Sequence, residues 1–280
     1  MGRDPKLRLR LLSAILFLPL LVLAARAGRL WFAGLVTIEV VLGILEFYRM
    51  MADRGLRPSW RLGTAAAFVL CVLVYSGSSS QTNLLFTAGL LLVLCSELLR
   101  SEGERGIEPM AVTLFGVLYV GWLSVHLIYL RELPRLLGQN YAAGGSYVLL
   151  AFWLTWTCDT AAYGFGLWFG RRRLLPEVSP KKSVEGSLGG LLTTLLAAHV
   201  ARFWFAPYLS PLHATVLGVA VGVFAQVGDL VESLLKRVTG QKDSSGVIPG
   251  HGGVLDRFDS LYFTAPLTYY YLKMVIFQAH

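Results

Sequence analysis

Charge is what this 280-residue chain has least of. Only 15% of its residues are Asp, Glu, Lys or Arg, against about 25% in a typical soluble domain, while 55% are hydrophobic. That balance excludes the soluble two-domain protein that length alone would allow. Cysteine is scarce too. Cys71, Cys95 and Cys158 all fall in apolar stretches without metal-ligand spacing, which excludes a thiolate metal site and predicts small buried hydrophobes. No internal repeat is evident, which argues against the inverted-repeat designs of transporters. No nucleic-acid-binding module is in view either. The net charge of +8 is accounted for by basic loops beside anionic lipid headgroups, so no nucleic acid is expected as a partner.

What is present is apolar sequence in lengths that cross a bilayer, about 17–25 residues at a time. Such runs occupy 9–27, 30–48, 62–78, 83–99, 110–130, 146–169, 187–206, 211–235 and 259–279. They predict an all-α, polytopic integral membrane protein with about nine transmembrane helices. The first run has no convincing cleavage site and is followed at once by a second span, so it reads as a retained helix rather than a signal peptide. With the N-terminus in the cytoplasm, most of the 25 lysines and arginines fall on the cytoplasmic side, as the positive-inside rule requires. They include Arg3, Lys6, Arg8 and Arg10, then Arg171, Arg172, Arg173, Lys181 and Lys182, then Lys236, Arg237, Lys242 and Arg257.

The chain divides in character. Residues 1–105 read as a transmembrane scaffold, and 106–280 as a region carrying polar chemistry on cytoplasmic loops at about 170–186 and 236–258. Within the scaffold, Glu39, Glu46 and Glu97 are candidate functional acids. An interhelical hydrogen bond explains Glu39 as well, and an interfacial position suffices for Glu46 and Glu97.

The densest chemistry lies in GDLVESLLKRVTGQKDSSGVIPGHGGVLDRFD, residues 228–259. Each Asp, Lys or Arg at a helix centre in lipid costs about 2.5–3.5 kcal/mol on insertion scales, so these charges need a purpose. Asp229, Glu232, Ser233 and Lys236 recur at i, i+3, i+4 and i+7, one face of a helix. Carboxylates of this kind suit magnesium, which binds through one or two of them plus substrate phosphates. A charge network with Lys236 and Arg237 snorkelling to the interface is the plainer alternative. The glycine-rich stretch that follows cannot continue a helix. Its backbone N–H groups, at Gly252 and Gly253 in particular, are suited to cradling phosphate. Lys242 offers a charge to phosphate, Asp243 is a lesser metal candidate, and His251 serves equally as ligand or turn residue. Asp256 and Asp259 open the last span, where the helix dipole also favours acids. Upstream, Asp159 lies mid-span among tryptophans and must face the protein interior. The loop SPKKSVEG (179–186) brings Lys181, Lys182 and Ser183.

These residues carry a resemblance. Ser233-x-x-Lys236-Arg237-x4-Lys242-Asp243, then Pro249-x-His251-Gly252-Gly253, then Asp256-Arg257-x-Asp259 is similar to the signature of the phosphatidate cytidylyltransferase (CDP-diacylglycerol synthase) family. The segments Asp159–Tyr163 and SPKKSVEG resemble two further blocks of it. Two departures stand out. The family's loop usually reads Lys-Lys-Thr-Trp-Glu-Gly, where this chain has Ser183 and Val184. The family also often has an arginine where this chain has Leu167, and Arg171–Arg173 are the nearest replacement charges.

The resemblance implies transfer of the cytidylyl group of CTP to phosphatidate, giving CDP-diacylglycerol and pyrophosphate for phospholipid synthesis. It implies Mg2+ as cofactor, a homodimer, and an inner-membrane enzyme whose site faces the cytoplasm. By residue, it implies Asp229, Asp256 and Asp259 at the metal and in catalysis with Lys242, with Asp159, Glu232 and Asp243 as lesser ligands. Lys181, Lys182, Ser183, Ser233, Lys236, Arg237, His251, Gly252, Gly253 and Arg257 meet substrate. Two alternatives remain open: a cytidylyltransferase acting on another lipid phosphate, and an ion-coupled transporter that buries Asp159, Asp229 and Glu232.

Overall fold

A computed structural model describes residues 17–101, 105–241, 243–246 and 252–278. Its elements are almost all helices: α1 (Phe17–Ala27), α2 (Arg29–Asp53), α3 (Trp60–Ser76), α4 (Ser79–Leu98), α5 (Ile107–Gly116), α6 (Leu123–Leu136), α7 (Ala143–Phe169), α8 (Val184–Trp204), α9 (Pro211–Val238) and α10 (Leu255–Tyr270). A π-helical turn, Val117–Trp122, fuses α5 and α6 into one rod, and a second, Tyr271–Ile276, extends α10. Each of the nine apolar runs coincides over part of its length with one of these rods among the described residues. Five rods are long and apolar enough to cross a bilayer: α2, α4, α5–α6, α8 and α9. The chain is a multi-pass membrane protein on that ground. Its first sixteen residues, with Arg3, Lys6, Arg8 and Arg10, lie outside the described part.

Local chemistry sets the helix ends. Ser210 accepts from the His213 N–H and Pro211 opens α9, the combination expected of a strong N-terminus. Gly77 ends α3 in the left-handed region at φ 78°, where a side chain would be strained. Small residues let α7, α8 and α9 approach closely. A Cβ on Gly190 of α8 would stand 3.0 Å from the Cys158 carbonyl of α7, and one on Gly218 of α9 would stand 3.0 Å from Leu195 Cα.

The expectations need four corrections. The fold is not purely α. The 170–186 loop forms an antiparallel hairpin, β1 (Arg173–Leu175) with β2 (Ser179–Ser183). It is extended because Ser183 must adopt φ −121°, ψ 154° to cap α8, accepting from the Gly186 N–H. The 236–258 loop is shorter than expected, since α9 continues to Val238 and carries Lys236 and Arg237 on helix. Cys95 is exposed, whereas Cys71 and Cys158 are buried. It sits on α4, a rim helix whose apolar window is only 17% buried inside the protein, so its apolar surroundings are the bilayer. Finally, Glu46 is buried at 4% exposure rather than interfacial.

Candidate functional site

The site is built around the last two turns of α9. Lys236 reaches back one turn to Glu232, Nζ to Oε2 at 2.6 Å, and across to Asp256 of α10, Nζ to Oδ1 at 2.7 Å. The i, i+4 spacing delivers the first contact, and packing of α10 on α9 delivers the second. Glu232 is fully buried and Asp256 nearly so. One ammonium between two carboxylates is therefore the arrangement that makes their burial tolerable. One turn earlier, Ser233 Oγ donates to Asp229 Oδ1 at 3.3 Å. Lys182, projected by β2, meets Asp229 Oδ2 at 2.7 Å. The stripe predicted for α9 is thus present, with a lysine on each flank.

Asp256 is the most heavily engaged acid. Besides Lys236, its Oδ2 accepts from the Ser244 N–H (3.0 Å), the Ser244 hydroxyl (2.9 Å) and the Gly253 N–H (2.8 Å). Gly252, at φ 81°, supplies the left-handed turn that lets the segment fold back over it. Consequently the Gly253 amide, expected to cradle phosphate, is spent on the protein's own carboxylate.

Asp159 and Asp259 approach the stripe from below. Ser260 Oγ donates to Asp159 Oδ1 at 3.2 Å, and the Ser260 N–H donates to Asp259 Oδ1 at 2.6 Å. Asp159 on α7 is thereby tied to α10, as its mid-span position required. The helices α9 and α10 touch backbone to backbone here: a Cβ on Gly228 would lie 2.7 Å from the Asp259 carbonyl oxygen and 3.0 Å from Ser260 Cα. Asp229, the next residue, and Asp259 are neighbours for that reason.

The remaining predicted residues are more scattered. Ser183 is buried at 3% exposure and its oxygen caps α8, accepting from the Gly186 N–H. Lys181, Arg257 and Asp243 are exposed. Arg237 is also exposed and donates from Nε to the Val178 carbonyl at 3.3 Å, pinning the hairpin to α9. Lys242 and His251 lie outside the described residues.

Among the described residues, no three Asp, Glu, His or Cys side chains stand together as a ready ligand set. The donor chemistry nevertheless suits a hard cation, since all the acids offer carboxylate oxygens. Asp229 and Asp256 are each countered by an ammonium.

Sequence reasoning named Glu39 and Glu46 as candidate acids but missed their partners, and missed Asp53 altogether. Glu46 of α2 accepts from Ser244 Oγ (3.1 Å), Ser245 Oγ (2.6 Å), the Val254 N–H (3.0 Å) and the Leu255 N–H (2.9 Å). Glu39, seven residues earlier, accepts from Tyr262 of α10 at 3.0 Å and Ser124 at 3.4 Å. Asp53, seven later, accepts from Gln241 at 2.7 Å. The signal was in the sequence: acids at 39, 46 and 53 repeat on one helix face.

Comparison with known proteins agrees with this picture. A profile described as the Cytidylyltransferase family matches residues 8–275. The chain is 32% identical over 288 residues to a phosphatidate cytidylyltransferase from Synechocystis, spanning 95% of this chain and 97% of that one. It is 30% identical over 261 residues to a protein of the same name from Staphylococcus haemolyticus, with 92% and 94% covered. It is also 35% identical over 186 residues to the uncharacterized protein YnbB of Escherichia coli K12, with 66% and 61% covered.

Proposed function

The chain belongs to the cytidylyltransferase family, and from that premise we propose that it transfers the cytidylyl group of CTP to phosphatidate. An oxygen of the phosphatidate phosphate attacks the α-phosphorus of CTP. The bond from that phosphorus to the bridging oxygen of the β-phosphate breaks, and CDP-diacylglycerol and pyrophosphate result. The nucleophile is already an oxyanion, so no strong general base is needed. What remains is to bring two anions together in line and to stabilise the charge that develops on pyrophosphate.

The observation that supports this most directly is the pair of lysines on the α9 stripe, Lys182 at Asp229 and Lys236 between Glu232 and Asp256. Both stand at the cytidylyltransferase motif's helix end, where the positive charge is of the kind a polyphosphate needs. Lys181, Arg237 and Arg257 add positive charge around the rim, and Ser233 orients Asp229. Lys242, His251 and the Gly252 amide are assigned to the phosphates by the sequence motif in this reading.

Mg2+ would be held by Asp229, Asp256 and Asp259, with Asp159, Glu232 and Asp243 in support. When bound, it supplies charge neutralisation along the phosphates. The protein's own part is positional. Asp159 holds α10 through Ser260, the hairpin presents Lys182, and Lys236 holds Glu232 and Asp256 close.

The wider assignment follows the same reading: nine crossings of the inner membrane, a cytoplasmic N-terminus, residues 1–105 mainly scaffold, a site opening to the cytoplasm, and a homodimer. A soluble nucleotide can meet a lipid headgroup only at such an interface.

Purified protein in detergent, given phosphatidate, labelled CTP and magnesium, should form labelled CDP-lipid, and a metal chelator should abolish it. No product from the wild type, or full activity in Asp256→Asn, would defeat the assignment. Product formed from a polyprenyl phosphate in preference to phosphatidate would move it to a different lipid substrate.

A further inference from the structure

We propose that Glu46, on a helix of the N-terminal half, is a positioning residue for cytidylyl transfer, acting by clamping both ends of the glycine-rich segment that leads into Asp256 of α10. The inference rests on the function proposed above. Its basis is the way one carboxylate is used. Glu46 accepts at one oxygen from Ser245 Oγ and the Val254 N–H, and at the other from Ser244 Oγ and the Leu255 N–H. The serines lie where the segment leaves α9, and the two amides lie where it enters α10. A single side chain, 198 residues away in sequence from Ser244, therefore joins the two ends.

Glu46 does the work of a missing cap. α10 begins without any side-chain cap of its own at Val254, and the first N–H groups of a helix need acceptors. A carboxylate there is also favoured by the helix dipole. With four donors on two oxygens, Glu46 has no capacity left for substrate, so its role passes through others.

The path to the reacting groups is short. Ser244 Oγ is 3.1 Å from Glu46 and 2.9 Å from Asp256. A hydroxyl has one hydrogen to donate, so the two carboxylates share it, and the position of Asp256 depends on the clamp. Gly253 is wedged beside the pair, where a Cβ would overlap both Ser244 Oγ and Glu46. Seven residues further along α2, Asp53 binds Gln241 and Arg54 donates to the Val238 carbonyl, so the same helix also braces the end of α9.

Displacing a reacting group by about 1 Å can cost roughly 10²-fold in rate, which sets the expected size. Full-length Glu46→Gln keeps the shape but exchanges an acceptor oxygen for a donor NH2 facing occupied N–H or O–H groups. Its kcat for CDP-lipid formation should fall roughly 10²-fold, while KM for phosphatidate stays within a factor of about three. Amide hydrogen exchange at Val254 and Leu255 should accelerate at least about tenfold, reporting a released α10 start. Glu97→Gln is the comparison, because Glu97, on α4, meets Gly106 and Arg100 among the described residues, away from the glycine-rich segment; neither readout should move.

Unchanged kcat in Glu46→Gln beside an active wild type overturns the positioning role and leaves the proposed reaction standing. A lower kcat with unaltered exchange at Val254 and Leu255 overturns it equally. An inactive wild type defeats the reaction itself. Should Glu46→Gln fail to fold, the Ser244→Ala, Ser245→Ala double variant removes half of the clamp. It should show the same split between kcat and KM in smaller measure, and wild-type kinetics there would overturn the proposal.

Discussion

The two lysines of the site meet their carboxylates under opposite conditions. On the hairpin side, Lys182 and Asp229 are 23% and 32% exposed. On the turn side, Lys236 is 13% exposed, Glu232 is fully buried and Asp256 is 8% exposed. The first pair joins a short hairpin to a helix through part-exposed, solvent-screened charge. The second locks two helices together at the point where burial makes a missing partner costly. The difference separates recognition from architecture: a lysine that can leave its acid for a phosphate, and a lysine whose acids need it in order to stay buried.

The largest effect should come from removing the buried ammonium. Lys236→Ala leaves Glu232 and Asp256 facing each other without a counter-charge, and breaking a buried pair costs about 3–5 kcal/mol. A thermal melt in detergent should show that loss together with abolished CDP-lipid formation. A variant as stable as the wild type would erase the contrast between the two sides. Glu232→Gln should come next, since it keeps the volume and removes one charge-assisted bond, for about 1–3 kcal/mol. Equal melting of Glu232→Gln and wild type would place Glu232 with the exposed pair.

Lys182→Ala should behave in the reverse manner. An exposed pair contributes about 0–1 kcal/mol, so its melt should sit near wild type while KM for CTP rises roughly tenfold, about 1.4 kcal/mol of binding. A destabilised Lys182→Ala with normal KM would invert the assignment. The smallest effect is ionic. Raising salt from about 0.05 to about 0.5 M shortens the Debye length severalfold, so wild-type KM for CTP should climb more steeply than that of Lys182→Ala. Parallel salt curves would show that Lys182 makes no screened contact with the nucleotide.

How much of this could be read beforehand depended on the range of the interaction. Helix positions followed from runs of apolar residues, because bilayer thickness sets their length locally. The pairing of Glu232 with Lys236 followed from i, i+4 spacing. The hairpin did not, because three arginines and two prolines resemble any polar loop. The π-helical turn between α5 and α6 lies inside one continuous apolar run, so hydropathy does not announce it. Glu46 was undervalued for a different reason: its partners come from a segment some 198–209 residues away. Only the repeat with Glu39 and Asp53 hinted that a face of α2 was committed to them. Ser183 shows the local counterpart, a motif residue whose hydroxyl also caps its own helix.

Gly228 carries a consequence for how this chain can vary. The gap between α9 and α10 is set there by main chain against main chain, with the Asp259 carbonyl in the place a methyl group would need. Side chains elsewhere in the site can be exchanged for others of similar length, and the helices stay where they are. At position 228 the addition of one carbon acts as a wedge, widening the separation of Asp229 from Asp259 without touching either acid. Tolerance to substitution should therefore be low at a residue that carries no functional group at all.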